Sequence, residues 1–408
     1  MSKASTSIQA GTAAEADQRG IWSRGLILLA AAIFLLSLGS GLQNGIGTNF
    51  MQQLGLTDAQ VLMQSGIREI PGLALMFLAA MVMHLPLTWR AAASLLLMGI
   101  GYALYATVHS WTALVVVSLT ASFGFHLWMP LNSSLGLGLA KRENSGRVLG
   151  ALASVGALAS MAGIGSILLF SKWFSLRVFA GIAGVLIVLA AIVISRLPKN
   201  IGETKKAQPR LLFKKRYWLY YVLLLFEGSR AQVFSAFNLM VLVYDFGLSA
   251  VQISMLLLAS GLVNFALAQR LGRLIDTAGE RVTLTAGYVA LALCFVGYAT
   301  VRNVWFLAVM VIFINLLVTL SMGLSTYVAR IAPPEELTPT LSTGVSVNHI
   351  SSVGMSFLAG ALLPIVGYRA LSWGAVVIVL GSVPFALAMR TRMARPGLET
   401  SRSSSKMT

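Results

Sequence analysis

Charge is what this 408-residue chain has least of. Only 11% of its residues are charged and 57% are hydrophobic, whereas a soluble domain carries about 25% charged residues. That excludes an ordinary soluble globular protein and points to an integral membrane protein. Acidic residues are the scarcer sign, with 13 Asp and Glu against 30 Lys and Arg and a net charge of +17. Nucleic-acid-binding proteins also carry basic excesses. Here, however, the basic residues sit in short gaps between apolar runs, not on an amphipathic face or in an RNA-binding motif, which argues against nucleic acid as a partner. Cysteine is nearly absent: Cys294 stands alone in an apolar run. No disulfide framework or cysteine metal site forms within one such chain, and the residue reads as a small buried hydrophobe. There is no Walker loop and no convincing Ser-His-Asp or paired-carboxylate arrangement, so neither ATP coupling nor enzymatic chemistry is expected, and no cofactor or metal is implied.

What is present is a succession of apolar runs. A membrane-crossing helix needs about 20 largely apolar residues. By that rule twelve spans are expected, near 25–50, 57–84, 91–108, 112–139, 147–171, 177–196, 216–244, 249–270, 283–301, 304–330, 341–364 and 371–390. Residues 1–24 are polar and rich in Ala, Ser, Thr and Gly. The first apolar run is too long for the core of a signal peptide, so it reads as a retained span. The longest polar interruption, within 198–215, divides the spans six and six. The expected organisation is therefore a cytoplasmic tail (1–24), a six-helix bundle (25–197), a basic cytoplasmic linker (198–215), a second six-helix bundle (216–390) and a second tail (391–408). Lys172, Arg177, Arg302 and Arg369 occupy outer loops, and Arg68 and Arg230 lie within spans. The remaining basic residues fall on the side that places both termini in the cytoplasm of a bacterial-type inner membrane.

An internal repeat underlies this division. Leu54-Gly55-Leu56-Thr57 with Gln60 is echoed by Phe246-Gly247-Leu248-Ser249 with Gln252, each copy opening a span with a capping box. Tyr105-Ala106-Thr107-Val108 is echoed by Tyr298-Ala299-Thr300-Val301, and Gly39-Ser40 with Gln43 by Gly228-Ser229 with Gln232. Three matches in order argue for duplicated halves.

Twelve spans, a six-plus-six repeat, a basic central loop and both termini inside resemble the major facilitator superfamily. Between the eighth and ninth spans, Gly272-Arg273-Leu274-Ile275-Asp276-Thr277-Ala278-Gly279-Glu280-Arg281 is similar to that superfamily's cytoplasmic signature. The resemblance implies an all-α fold of two pseudo-symmetric six-helix bundles. It also implies a gating role for Gly272, Asp276, Gly279 and Arg281, with Arg147 as the expected partner of Asp276. The equivalent first-half loop, Met83 to Arg90, lacks the Asp and Gly. The fifth span carries small residues from Gly150 to Gly165 but not the proline seen in many drug exporters of the superfamily.

Only two acids fall within spans, Glu69 and Glu227, together with the bases Arg68 and Arg230. Ionisable groups at that depth are functional candidates by default. Glu227 and Arg230 are three residues apart and share a helix face, so they are placed to pair. Glu227 is alternatively within reach of Arg68 across a cavity. Arg68 and Glu69 point about 100° apart and each needs a partner elsewhere. Pro71-Gly72 follows them and is able to distort the second span. Of the superfamily's cavity-lining spans, the first, fourth, seventh and tenth supply Gln43 and Asn44, His126 and Asn132, Gln232 and Asn238, and Asn315. The eleventh adds His349. Each amide is also explained by an interhelical hydrogen bond, the simpler reading of a lone amide in a span.

The resulting expectation is a monomeric secondary transporter working by rocker-switch alternating access. Glu227 or Glu69 would carry a coupling proton. Arg230, Arg68, Gln43, Asn44, His126, Gln232, Asn315 and His349 would contact a small polar or amphipathic, anionic metabolite. Two alternatives stay open: an efflux antiporter for drugs or metabolites, and a sensor or assembly factor that uses a transporter fold without transporting.

Overall fold

The computed structural model describes residues 22–82, 85–140, 145–199, 201 and 213–389, with backbone only at 75–82, 145–146, 231–235, 268–269, 334–335, 338–339 and 342. The expected tails, apart from residues 22–24, and most of the expected linker lie outside these residues. The described chain is helical almost throughout and contains no strand. With no water to satisfy backbone N–H and C=O groups in a bilayer, a long apolar run forms a helix. Nine helical stretches among the described residues are long and apolar enough to cross a membrane.

The helices are α1 Arg24–Gln53, α2 Asp58–Val82, α3 Leu87–Leu104, α4 Trp111–Leu139, α5 Ser145–Phe170 and α6 Leu176–Ser195, followed by α7 Trp218–Tyr244, α8 Ala250–Thr300, α9 Val304–Val318, α10 Met322–Ile331, α11 Pro334–Gly381 and α12 Val383–Leu387. Together they fall on each of the twelve expected stretches. Side-chain caps start several of them. Ser23 accepts from Leu26 N, Ser110 from Ala113 N, and Asn303 from Trp305 N and Phe306 N. Such caps satisfy orphan donors where a helix enters the polar region.

Two expected loops are shorter than the sequence suggests. α8 continues to residue 278, turns at Gly279 (φ 82°, ψ 158°) and resumes at residue 280. α11 turns likewise at Gly367 (φ 73°, ψ 167°). Hydropathy reads only the lipid-embedded part of a helix, so the polar turns carrying Arg270, Arg273 and Asp276 looked like loop. A left-handed residue allows so abrupt a reversal, and glycine takes that conformation without a Cβ penalty.

The chain divides into two compact units. One comprises residues 1–54, 74–206 and 253–255; the other comprises 55–73, 207–252 and 256–408. In the first, α1 packs on α5 and α6, and α3 packs on α4 and α6. The expected small-residue packing of the fifth span is seen at Gly163, where a Cβ would collide with the Leu38 carbonyl, but not at Gly150, which faces open space. In the second unit, α7 packs on α11 and α9. The repeat is visible in backbone detail. Gly55 and Gly247 both have positive φ, 75° and 69°. Both capping boxes form: Thr57 N donates to Gln60 Oε1 and Ser249 N to Gln252 Oε1, each at 2.9 Å.

A further pair belongs to the same repeat and escaped the sequence reading. Arg177 donates to the carbonyl of Ala106 at 3.1 Å, and Arg369 donates to the carbonyl of Ala299 at 2.7 Å. Each arginine satisfies carbonyls near the end of a helix, α3 in one half and α8 in the other. Charge counting had treated them only as stray outer-loop cations.

Candidate functional site

In the second unit both intramembrane acids are paired. Glu227 and Arg230 stand one turn apart on α7 and form an ion pair, 6% and 3% exposed. The Arg230 guanidinium carbon lies 4.3 Å from the ring centroid of Tyr288 on α8. A desolvated cation over an aromatic face is attracted by the ring quadrupole. Next to this pair, Gly228 lets α7 touch α11: any Cβ there would collide with the Asn348 carbonyl and the Ser351 hydroxyl. Ser352 Oγ donates to the Gly228 carbonyl at 3.0 Å. The pairing expected from the i, i+3 spacing is therefore present, and the alternative partner for Glu227, Arg68, is not the one it takes.

Glu69 and His349 form the second buried pair. His349 Nδ1 lies 2.8 Å from Glu69 Oε2, and the two residues are 9% and 8% exposed. A carboxylate accepts, so the imidazole proton sits on Nδ1. The pair joins α2 to α11, 280 residues apart in the chain. Arg68, on the adjacent face of α2, is exposed. Both residues are candidates from the sequence alone, which carries no signal that they meet.

The other expected contacts divide. In the first unit His126 is buried, with Nδ1 2.9 Å from the Ser122 carbonyl and 3.1 Å from its hydroxyl. In its neutral form it therefore carries the lone pair on Nε2. Gln43 is buried with Oε1 lacking a hydrogen-bond partner, whereas Asn44 on the next face is exposed. Asn238 is 2% exposed and its Oδ1 is also unpartnered. Asn315 is engaged in helix packing: its Nδ2 donates to Ser260 Oγ at 3.0 Å, while Thr319 Oγ1 donates to Asn264 Oδ1 at 2.9 Å. This is the interhelical role that the amide alternative described. The side chain of Gln232 lies outside the described residues.

Of the expected gating residues, Gly279 makes the turn, Gly272 is helical, and Asp276, Arg281 and Arg147 are exposed. The acid of this segment that is engaged within its unit is Glu280, 7% exposed and 2.9 Å from Arg330 at the end of α10. A second ionic cluster, also missed from the sequence, gathers on Glu336 at the start of α11. It receives Lys214 Nζ at 2.8 Å, Arg216, and the Tyr217 hydroxyl at 2.9 Å. The donated hydrogen bonds of Lys214 and Arg216 hold its carboxyl down at about 2. At the opposite end of α7, burial and then the Asp58 carboxylate push Asp245 up from the ordinary range.

The family model described as Major Facilitator Superfamily matches residues 29–338 and 233–406. The chain belongs to the major facilitator superfamily. No curated protein sequence matches it. Among solved structures, a point variant of the nucleoside transporter NupG is 15% identical, covering 90% of this chain and 100% of that one, with a TM-score of 0.74. A D-xylose-proton symporter is 11% identical over 90% and 98%, with a TM-score of 0.69. A bacterial homologue of the lysosomal transporter Spinster, inward-facing and occupied, is 14% identical over 88% and 95%, with a TM-score of 0.67. At such identities the likeness is one of fold. It fits a superfamily member whose scaffold is duplicated and whose buried charges are not: Glu227 and Arg230 align in the repeat with Leu38 and Gly41.

Proposed function

We propose that this superfamily member is a proton-coupled secondary transporter for a small polar solute. It would work as a monomer by rocker-switch alternating access, in an inner membrane with both termini cytoplasmic. The observation that carries the reading is the buried Glu69–His349 pair at 2.8 Å. Such a pair holds one proton with no net charge: carboxylate with imidazolium, or carboxylic acid with neutral imidazole. Losing that proton leaves the buried pair with a single negative charge. The pair therefore supplies a proton site of two states, which coupling requires.

Glu227 is the poorer carrier. Protonating it would strand the Arg230 guanidinium in the core, a state costing several kcal/mol. Its role is to hold α7, with Arg230 and Tyr288. The structural neighbours include a nucleoside transporter and a D-xylose-proton symporter, which makes neutral solutes reasonable first probes. The anionic solute expected from the sequence needs a cation facing it. Arg230 is paired with Glu227, and Arg68, which is exposed, is the candidate for that contact. A neutral hydrogen-bonding solute is the second reading, favoured by the unpartnered buried acceptors Gln43 Oε1 and Asn238 Oδ1. Counterflow in proteoliposomes separates the two. Arg68→Ala abolishes carboxylate exchange under the first reading. Under the second, D-xylose or a nucleoside exchanges and the substitution leaves that exchange intact.

A further inference from the structure

We propose that the first unit carries a phospholipid site: one acyl chain in a groove along α6, with its phosphate against Arg177 and His109. The groove has a volume of about 480 Å³ and is lined by Ala106, Arg177, Val178, Gly181, Val185 and Leu186, among others. Apart from Arg177 its walls are apolar. Gly181 lines it without a side chain, and Val178 and Val185, one turn to either side, are exposed.

Three observations identify the occupant. The first is length. From Arg177 to Leu186 the helix advances nine residues, about 14 Å at 1.5 Å per residue, close to half of a ~30 Å hydrocarbon core. The groove is thus one leaflet deep. The second is level. Trp173, in the turn leading into α6, is 72% exposed, and Phe170 at the end of α5 packs against both it and Phe174. Exposed aromatic residues of this kind mark the headgroup region, which puts Arg177 at headgroup height. The third is charge. Arg177 spends hydrogen bonds on the carbonyls of Ala106 and Val108 and approaches His109 Nδ1 at 3.3 Å. Among the described residues no carboxylate pairs with it. A fixed cation beside a histidine, above an apolar slot one leaflet deep, matches a phosphate ester joined to a fatty chain. Guanidinium is suited to phosphate by its fork of donors.

The test is native mass spectrometry of the full chain, purified in detergent and incubated with palmitoyl-oleoyl phosphatidylglycerol, with the matching diacylglycerol, or with inorganic phosphate. The wild type is expected to retain one phosphatidylglycerol, little diacylglycerol and no inorganic phosphate. Gly181→Leu, which puts a large side chain on the lining, lowers retention by about tenfold. Gly181→Ala serves as the fold control, because its Cβ would meet Ala106 Cβ at an ordinary 3.6 Å and should leave retention unchanged. Val185→Phe obstructs the groove from its exposed flank and gives the same loss if the leucine variant fails to fold. His109→Ala weakens phosphatidylglycerol but not diacylglycerol. Undiminished phosphatidylglycerol in both groove-filling variants would overturn the proposal. So would equal retention of diacylglycerol, or binding of inorganic phosphate alone at the same position.

Discussion

Replacing Arg230 by methionine removes the cation that pairs with Glu227. The carboxylate lies nine residues into α7, about 14 Å from its start and so near the middle of a ~30 Å core. It is 6% exposed, and its partner is 3% exposed beneath Tyr288. Two terms enter the loss. The guanidinium–aromatic contact contributes about 2 kcal/mol when desolvated. Leaving a buried charge without its partner costs about 3–5 kcal/mol, so the stranded carboxylate dominates. The double variant Glu227→Leu, Arg230→Met replaces the pair by apolar side chains of similar volume and should recover most of the loss, since such swaps are often neutral. Thermal unfolding in detergent reads both. At about 2 °C per kcal/mol for a unit of this size, the single variant should melt at least ~6 °C below the wild type, with the double variant close to it. The coupling between the two substitutions is the quantity measured. A single variant as stable as the double would refute a buried, mutually dependent pair.

Other expectations follow from the packing and the surface charges. Gly228→Ala should cost about 1–3 kcal/mol by forcing α7 off Asn348, whereas Gly47→Ala, with nothing within 4 Å, should be neutral or slightly stabilising; parallel thermal melts compare them. Glu336 has a depressed pKa, so its contribution is complete above the ordinary carboxylate value of about 4.3 and is lost as pH falls towards about 2. The stability gap between wild type and Glu336→Gln should therefore be constant from neutral pH down to that value, then shrink. Asp245 behaves oppositely. Its raised pKa makes the ionised form a cost to the fold above that pKa, so Asp245→Asn should raise the melting temperature at neutral pH, with the gain fading on acidification. Arg177→Met and Arg369→Met, which remove equivalent charged hydrogen bonds in the two halves, should each cost about 1.5–3 kcal/mol by the same assay.

Much of this architecture was legible in the sequence because a bilayer simplifies the problem. Apolar runs of the right length must be helices, and glycines and caps repeated at one offset must do the same work twice. Gly55 and Gly247, and Thr57 and Ser249, behaved as that argument requires. The turn at Gly279 was readable as well, though not how far α8 extends on either side of it, because a helix continues past the lipid where hydropathy goes silent. Glu227 and Arg230 were legible as a pair since helical spacing alone brings them together. Glu69 with His349, Glu280 with Arg330, and Lys214 and Arg216 with Glu336 were not. Their members lie far apart in the chain, and which helix faces meet is decided by packing that no local pattern records. Asn315 illustrates the remaining limit. An amide in a membrane span looks the same in sequence whether it meets a solute or, as here, a serine on the neighbouring helix.

The central claim is that the Glu69–His349 pair carries the coupling proton while Glu227 does not. Its most direct test is solute-driven proton movement in proteoliposomes loaded with a pH-sensitive dye, with D-xylose, a nucleoside and small aliphatic carboxylates as probes. The account predicts that the wild type moves protons with at least one of these probes. Glu69→Gln should abolish that movement while solute counterflow persists. The compensated variant Glu227→Leu, Arg230→Met should keep its proton movement. Proton movement undiminished in Glu69→Gln would contradict the account.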